Sequence, residues 1–274
     1  MPELPEVETV ARSLEAGQGT GSTILGRTIQ RAAVAWNKTV AAPSATAFKK
    51  RIVGQQVTGV GRRAKFIRLD LSEDVLLVHL RMSGDLLFGR SDSPIGKYSR
   101  LQLYLDDGLQ LSFDDARKFG RVWLVKDPED VLGGLGPEPF DPALTPKAVH
   151  GLIHARKRQL KPLLLDQSFV AGLGNIYADE ALHGARLHPL TSAHTISAKQ
   201  SADLLAAIRA VLKEGIRRNG ASIDWVYRGG DFQNHFKVYQ RTGKPCPRCA
   251  TPIERIVVGQ RGTHFCPNCQ IAPE

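Results

Sequence analysis

The residue types best suited to chemistry lie toward the two ends of this 274-residue sequence. At the start, Met1-Pro2-Glu3 sets a proline beside a carboxylate. Removal of Met1 would leave Pro2 as a free secondary amine. An α-amino group titrates near ~7.7–8.0, well below a lysine, so much of it is a free nucleophile at neutral pH. Amines of this kind attack carbonyl-like carbons and form Schiff bases. On a proline nitrogen the product is an iminium with no N–H left to lose, a persistent electron sink. Glu3 stands beside it to donate or accept the protons that such a reaction moves. The same residues also read as an ordinary helix start. Leu4, Val7, Val10, Ala11 and Leu14 recur at helical spacing, Glu3, Glu6 and Glu8 complement the dipole of the first turn, and Gly17 and Gly19 end the run. A retained Met1 would make Pro2 an amide and silence the nucleophile.

Toward the other end, the four cysteines form two Cys-x-x-Cys pairs, Cys246/Cys249 and Cys266/Cys269. In a cytosolic chain this spacing predicts one four-thiolate structural zinc site, with thiol–disulfide redox chemistry as the alternative. Between the pairs, Pro252–Val258 and Thr263–Phe265 read as strands joined by the tight turn Gly259-Gln260-Arg261-Gly262. Zinc supplies about 10–16 kcal/mol of folding free energy in small modules. A four-thiolate site has no open position for chemistry, so the metal's task would be to fix Arg261 at a hairpin tip.

The elements that must hold these residues divide the chain. Hydrophobic content of 42% and charged content of 23% fit a soluble globular protein, and the length accommodates two cores. No apolar run is long enough to span a membrane and the acidic start is no signal peptide, so the cytosol is the expected location. The net charge of +10 favours a polyanionic partner, nucleic acid first. Short alternating runs at 64–71, 75–80, 101–105, 109–113 and 121–125 predict an antiparallel β-sandwich over about residues 20–130. Asp106-Asp107-Gly108 marks a hairpin within it. Gly and Pro crowd residues 133–142, which reads as a linker. Helical patterns follow at 146–166, 175–187 and 198–218, then an irregular Gly-rich stretch at 219–234. The class is α+β: an N-terminal domain at 1–132, a linker at 133–146, a helical domain at 147–242 and a zinc ribbon at 243–274.

Several further residues could meet nucleic acid. Gly61-Arg62-Arg63-Ala64-Lys65-Phe66 runs three cations into a strand, suited to phosphates or to a charged sheet edge. Alternation puts Lys65 on the strand face opposite Phe66. Met82 lies in a loop after a strongly apolar strand, and Arg117 and Phe119 share another loop between strands. Proteins that extract a base insert apolar wedges into the stack and fill the gap with a hydrogen-bonding side chain. Asn175 opens a helix after a Gly-rich turn, an N-cap position whose free N–H groups attract anions. The helix before it carries His154, Arg156, Lys157, Arg158 and Lys161, a charge set able to straddle a phosphate backbone.

Taken together, the PELPEVET start, RRAKF, HLRMSG, DARKFG, GLGNIYADEAL and GQRGTHFCPNCQ resemble the formamidopyrimidine-DNA glycosylase family over nearly the whole chain. The resemblance implies a base-excision repair enzyme that flips out and removes oxidised purines from double-stranded DNA. It would then cleave the strand as an AP lyase by β- and δ-elimination. It implies Pro2 as nucleophile at sugar C1′, Glu3 as its acid/base partner, and Lys65, Asn175 and Arg261 as phosphate ligands. Met82, Arg117 and Phe119 would fill the void, with Arg117 facing the orphaned cytosine, and Glu6 would lie near the damaged base. It also implies a helix-two-turns-helix domain, one structural zinc, and residues 219–231 as a lid; a monomer working on the nucleoid is expected. Two departures stand out: Asn219 and Ala221 where many relatives show Gly and Ser or Thr, and Gln240 where Gly is usual. The rival readings are the endonuclease VIII type, specific for oxidised pyrimidines, and a non-enzymatic zinc-ribbon DNA-binding protein. Relatives of the endonuclease VIII type typically begin Pro-Glu-Gly-Pro-Glu, whereas Leu4 stands here.

Overall fold

The computed structural model describes residues 1–18, 21–92, 96–222 and 229–273. The chain forms two compact units, one built on Met1–Gly134 and the other on Leu135–Ala221 and Gly230–Glu274.

The N-terminal unit opens with helix α1 (Leu4–Ala16), followed by β1 (Ile29–Val34), β2 (Val40–Ala42), α2 (Ala45–Ile52), β3 (Val57–Arg63), β4 (Phe66–Leu71) and β5 (Val75–His79). Strands β6 (Gly84–Arg90), β7 (Ser99–Leu105), β8 (Leu109–Asp115) and β9 (Arg121–Val125) and the short α3 (Glu129–Leu132) complete it. A four-stranded sheet has the order β1-β7-β8-β6, and a five-stranded sheet the order β2-β9-β5-β4-β3. The side chains that alternate inward from both sheets, among them Ile67, Leu69, Leu76, Val78, Leu103, Leu111, Phe113 and Leu124, share one core with Val7, Val10 and Leu14 of α1 and Phe48 and Ile52 of α2. Among the described residues, the expected antiparallel arrangement holds for every pair of named strands in this unit but one: the three-residue edge strand β2 runs parallel to β9.

The second unit contains α4 (Pro146–His154), α5 (Leu160–Leu165), α6 (Asn175–Gly184), α7 (Ala198–Arg217) and the hairpin β10 (Glu254–Val258) and β11 (Arg261–Phe265). The single helix read over 146–166 is in fact two, broken at Arg156–Arg158, where consecutive cations find no apolar face to bury. Helix α6 is the pillar of this unit: Ile176 through His183 are all buried, as expected of a helix surrounded by protein. Gly133–Pro146 is no free linker. Arg209 of α7 donates to the carbonyls of Pro139, Asp141 and Leu144, and Gly136 N–H donates to Gln167 O.

Two of the three departing residues stand where the backbone favours glycine, and nothing in the structure explains Ala221. Asn219 and Gln240 both hold left-handed φ, 55° and 54°. Glycine takes that region freely, whereas other residues give up about 1–2 kcal/mol there. Of the expected lid, residues 223–228 lie outside the described residues.

Candidate active site and nucleic-acid interface

Proline suits the first turn of a helix, where its missing N–H is no loss. Here Pro5 takes that place, Pro2 is buried just ahead of α1, and Glu3 is its N-cap. Glu3 N–H donates to Glu6 Oε2 at 2.8 Å, half of a reciprocal capping box. Both carboxylates are 2% exposed, so the cap holds Glu3 rigidly beside Pro2 in a dry setting. Glu6 thus has a structural task besides the one read from the sequence. Further along α1, Glu8 accepts from Arg62 Nε of β3 at 2.9 Å and from Arg12 Nε at 2.7 Å. Burial pushes the Glu8 carboxyl up, and the two guanidinium groups outweigh it, leaving it below its usual range. Arg62, read above as suited either to phosphates or to a charged sheet edge, is engaged by Glu8.

Lys65 is not in a strand. It sits in the two-residue turn between β3 and β4, after Ala64 at φ 53°, and is 5% exposed. The alternation that placed it opposite Phe66 fails because pairing stops at Arg63↔Phe66. Close by, His79 at the end of β5 accepts from Arg81 N–H and packs edge-on against Phe66. Burial, then the charges of Arg81 and Lys65, push the His79 ring down to about 3, so it is neutral.

The loop that carries Met82 meets the loop of Arg117 and Phe119 where Arg117 N–H donates to Ser83 Oγ at 3.2 Å. Met82 is 38% and Phe119 48% exposed, large apolar side chains displayed at loop tips. Arg117 lies over the Phe119 ring at 5.2 Å, and Lys118, at φ 61°, lies 4.5 Å from the centre of the Trp36 ring. Among the described residues, Trp36 and Asp115 are the supports that pattern reading passed over; a Trp before a polar turn and a carboxylate two residues ahead of the Arg were the available signals.

In the second unit, Gly174 is the N-cap and Asn175 the first residue of α6. Asn175 Nδ2 donates to Gly262 O at 3.0 Å, which sets Asn175 beside Arg261. The hairpin turn is Gly259-Gln260, both at positive φ (56° and 62°), the two-residue geometry whose twist matches its strands. Arg261 is the exposed first residue of β11 and flanks that turn. Lys161, expected to face phosphate, is instead fully buried. Its Nζ donates to Asp179 Oδ1 at 2.6 Å and to Asn175 O at 2.9 Å, while Asp179 Oδ2 accepts His264 N–H of β11. One buried ion pair thereby ties α5, the start of α6 and the zinc hairpin. Glu180 does the same for Lys237–Tyr239, accepting three successive backbone N–H groups.

The four cysteines are free thiols whose Sγ atoms lie within 4.8 Å of one another. The spacings of 3.4 and 4.0 Å bracket the about 3.8 Å edge of a tetrahedron with 2.3 Å Zn–S bonds. The donor set and its geometry fit one structural zinc ion. Arg248 N–H and His183 Nε2 both approach Cys246 Sγ, at 3.5 and 3.4 Å. With zinc bound, Cys246 would be a thiolate that can only accept, and the His183 imidazole would supply its Nε2–H to that ligand. Sequence reading missed His183, which sits 63 residues away from Cys246.

Three family models match in order: the formamidopyrimidine-DNA glycosylase N-terminal domain over residues 1–122, its H2TH domain over 135–226, and the zinc finger found in FPG and IleRS over 243–271. The formamidopyrimidine-DNA glycosylase of Chloroflexus aurantiacus is 47% identical over 280 residues, covering 99% of this chain and 98% of its own. The chain belongs to the formamidopyrimidine-DNA glycosylase family. That of Protochlamydia amoebophila is 43% identical over 279 residues, with 98% of this chain and 99% of its own covered. Formamidopyrimidine-DNA glycosylases are DNA glycosylases that are also AP lyases, and this chain is an enzyme of that class. Solved structures agree over 99% of this chain and 100% of theirs. The Lactococcus lactis glycosylase with N7-benzyl-Fapy-dG DNA superposes at a TM-score of 0.91 and 34% identity. A structure of MutM with carbocyclic 8-oxo-G DNA superposes at 0.89 and 36%.

Proposed function

We propose that this enzyme removes oxidised purines, 8-oxoguanine and formamidopyrimidines, from double-stranded DNA and then cleaves the strand, acting as a monomer on the nucleoid. The observation that carries the reading is the Pro2-Glu3 start, with Glu3 buried and locked as the cap of α1. After loss of Met1, the Pro2 nitrogen forms a bond to C1′ as the C1′–base bond breaks, and the departing base takes the electron pair and the equivalent of the proton that the Pro2 nitrogen gives up. Glu3 protonates the ring oxygen as the sugar opens, leaving an iminium between Pro2 and C1′. Loss of a C2′ proton then expels the 3′ phosphate, loss of the C4′ proton expels the 5′ phosphate, and water hydrolyses the remaining iminium to free the Pro2 nitrogen. Flipping the nucleotide takes a few kcal/mol of lost stacking. Met82 and Phe119 offset this by wedging the gap, Arg117 by bonding the orphaned base, and Lys65, Asn175 and Arg261 by holding phosphates. Glu6 lies near the damaged base. Relatives with the same full-length similarity have been seen on 8-oxo-G and Fapy-dG DNA, which supports the purine assignment.

The test is excision from two duplexes, 8-oxoguanine opposite cytosine and thymine glycol opposite adenine. Faster release of 8-oxoguanine is expected. Preference for thymine glycol would move the assignment to the endonuclease VIII type.

A further inference from the structure

Met82 and the Arg117–Phe119 pair come from different loops, 35 residues or more apart in sequence, yet a wedge works only if its parts move as one. Asp115, the last residue of β8, is 1% exposed and joins those loops. Its Oδ2 accepts Gly120 N–H at 2.7 Å and its Oδ1 accepts Arg117 N–H at 3.1 Å, fixing both ends of its own loop. The same Oδ1 accepts the hydroxyl of Ser83, the neighbour of Met82, and Ser83 Oγ in turn accepts Arg117 N–H at 3.2 Å. The closure is also steric. A Cβ on Gly84 would meet Leu80 O at 2.5 Å and the Phe113 ring at 2.8 Å, and one on Gly120 would meet the same ring at 2.3 Å. Both loops are thus pressed on Phe113 and bridged by one carboxylate. The backbone of Asp115 is also held, since its N–H donates to Tyr98 O and its carbonyl O accepts from Arg100 Nε.

We infer that Asp115 and Ser83 are positioning residues that couple the two loops, so that Met82, Arg117 and Phe119 enter DNA as one body. The inference rests on the wedge reading above. Ser83→Ala cuts the bridge but leaves Asp115 its hold on Arg117 and Gly120, and Ser83→Thr restores the hydroxyl.

The experiment is a double-mutant cycle of Met82→Ala and Phe119→Ala, read as single-turnover excision of 8-oxoguanine opposite cytosine. It is run in the full chain on three backgrounds: the parent with Ser83, the Ser83→Ala variant and the Ser83→Thr variant. In the parent, the combined loss should fall short of the product of the single losses by about two- to threefold or more, as for residues that share partners. With Ser83→Ala the losses should multiply, and Ser83→Thr should return the shortfall. A shortfall unchanged by Ser83→Ala overturns the coupling. Single Met82→Ala and Phe119→Ala variants that excise normally would remove the wedge reading, and the coupling with it, a result visible before any cycle is closed. If Ser83→Ala does not fold, Asp115→Asn, which replaces one acceptor oxygen by a donor, is carried through the same cycle.

Discussion

Glu3 and His79 are buried polar side chains whose surroundings, more than their residue types, fix what they do. Glu3 was visible in the sequence because it adjoins Pro2, but its cap role was not: Glu3, Glu6 and Glu8 read there together as acidic partners of the first turn, and the reciprocal box with Glu6 emerges from the fold. His79 was hidden: a histidine ending an apolar strand gives no sign of the cations that will surround it. In the fold it is pushed down to about 3, first by burial and then by Arg81 and Lys65, whereas an unfolded histidine titrates near ~6.5. Between those values the unfolded chain binds the extra proton. The stability this side chain contributes is therefore complete above about pH 6.5 and is lost as pH falls toward 3. His79→Asn keeps an acceptor for Arg81 N–H and does not titrate. Its thermal midpoint should drop less than that of the parent between about pH 7 and pH 5. Equal drops would show that His79 is not the group responsible.

At the scale of elements, strands and helices were legible because their periods are strong. The hairpin around Asp106-Asp107-Gly108, the limits of α7 and the zinc ribbon follow directly from spacing. What was not legible was where charge would be consumed. In sequence Arg62 suits phosphates or a charged sheet edge and Lys161 suits phosphate, yet each is paired with a carboxylate distant along the chain, Glu8 and Asp179. The Lys161–Asp179 pair is fully buried on both sides, so losing one partner strands a charge. Lys161→Met should destabilise the C-terminal unit by roughly 3–5 kcal/mol, and the double change Lys161→Met with Asp179→Leu should recover much of it. Denaturant titration monitored in that unit checks this. A harmless Lys161→Met would mean the pair does not organise α5, α6 and β11.

For the whole molecule, the surplus of +10 is the electrostatic basis for DNA search. Each protein cation neutralising a phosphate releases counterions, giving a slope of about −0.9 per contact in log K against log salt. Arg261→Ala should weaken duplex binding across sequences and reduce that slope by about one. An unchanged slope would take Arg261 off the phosphate backbone. The α+β class could be read from composition and periodicity, whereas the internal pairings that decide which cations remain for DNA emerge only from the fold.

The central claim is that Pro2 attacks the sugar. Borohydride trapping on an 8-oxoguanine:cytosine duplex, followed by mapping of the cross-linked residue, tests it most directly. The expected result is a covalent adduct on the nitrogen of Pro2, with Met1 gone. Tight binding to the same duplex without an adduct, in protein confirmed to lack Met1, would contradict the account.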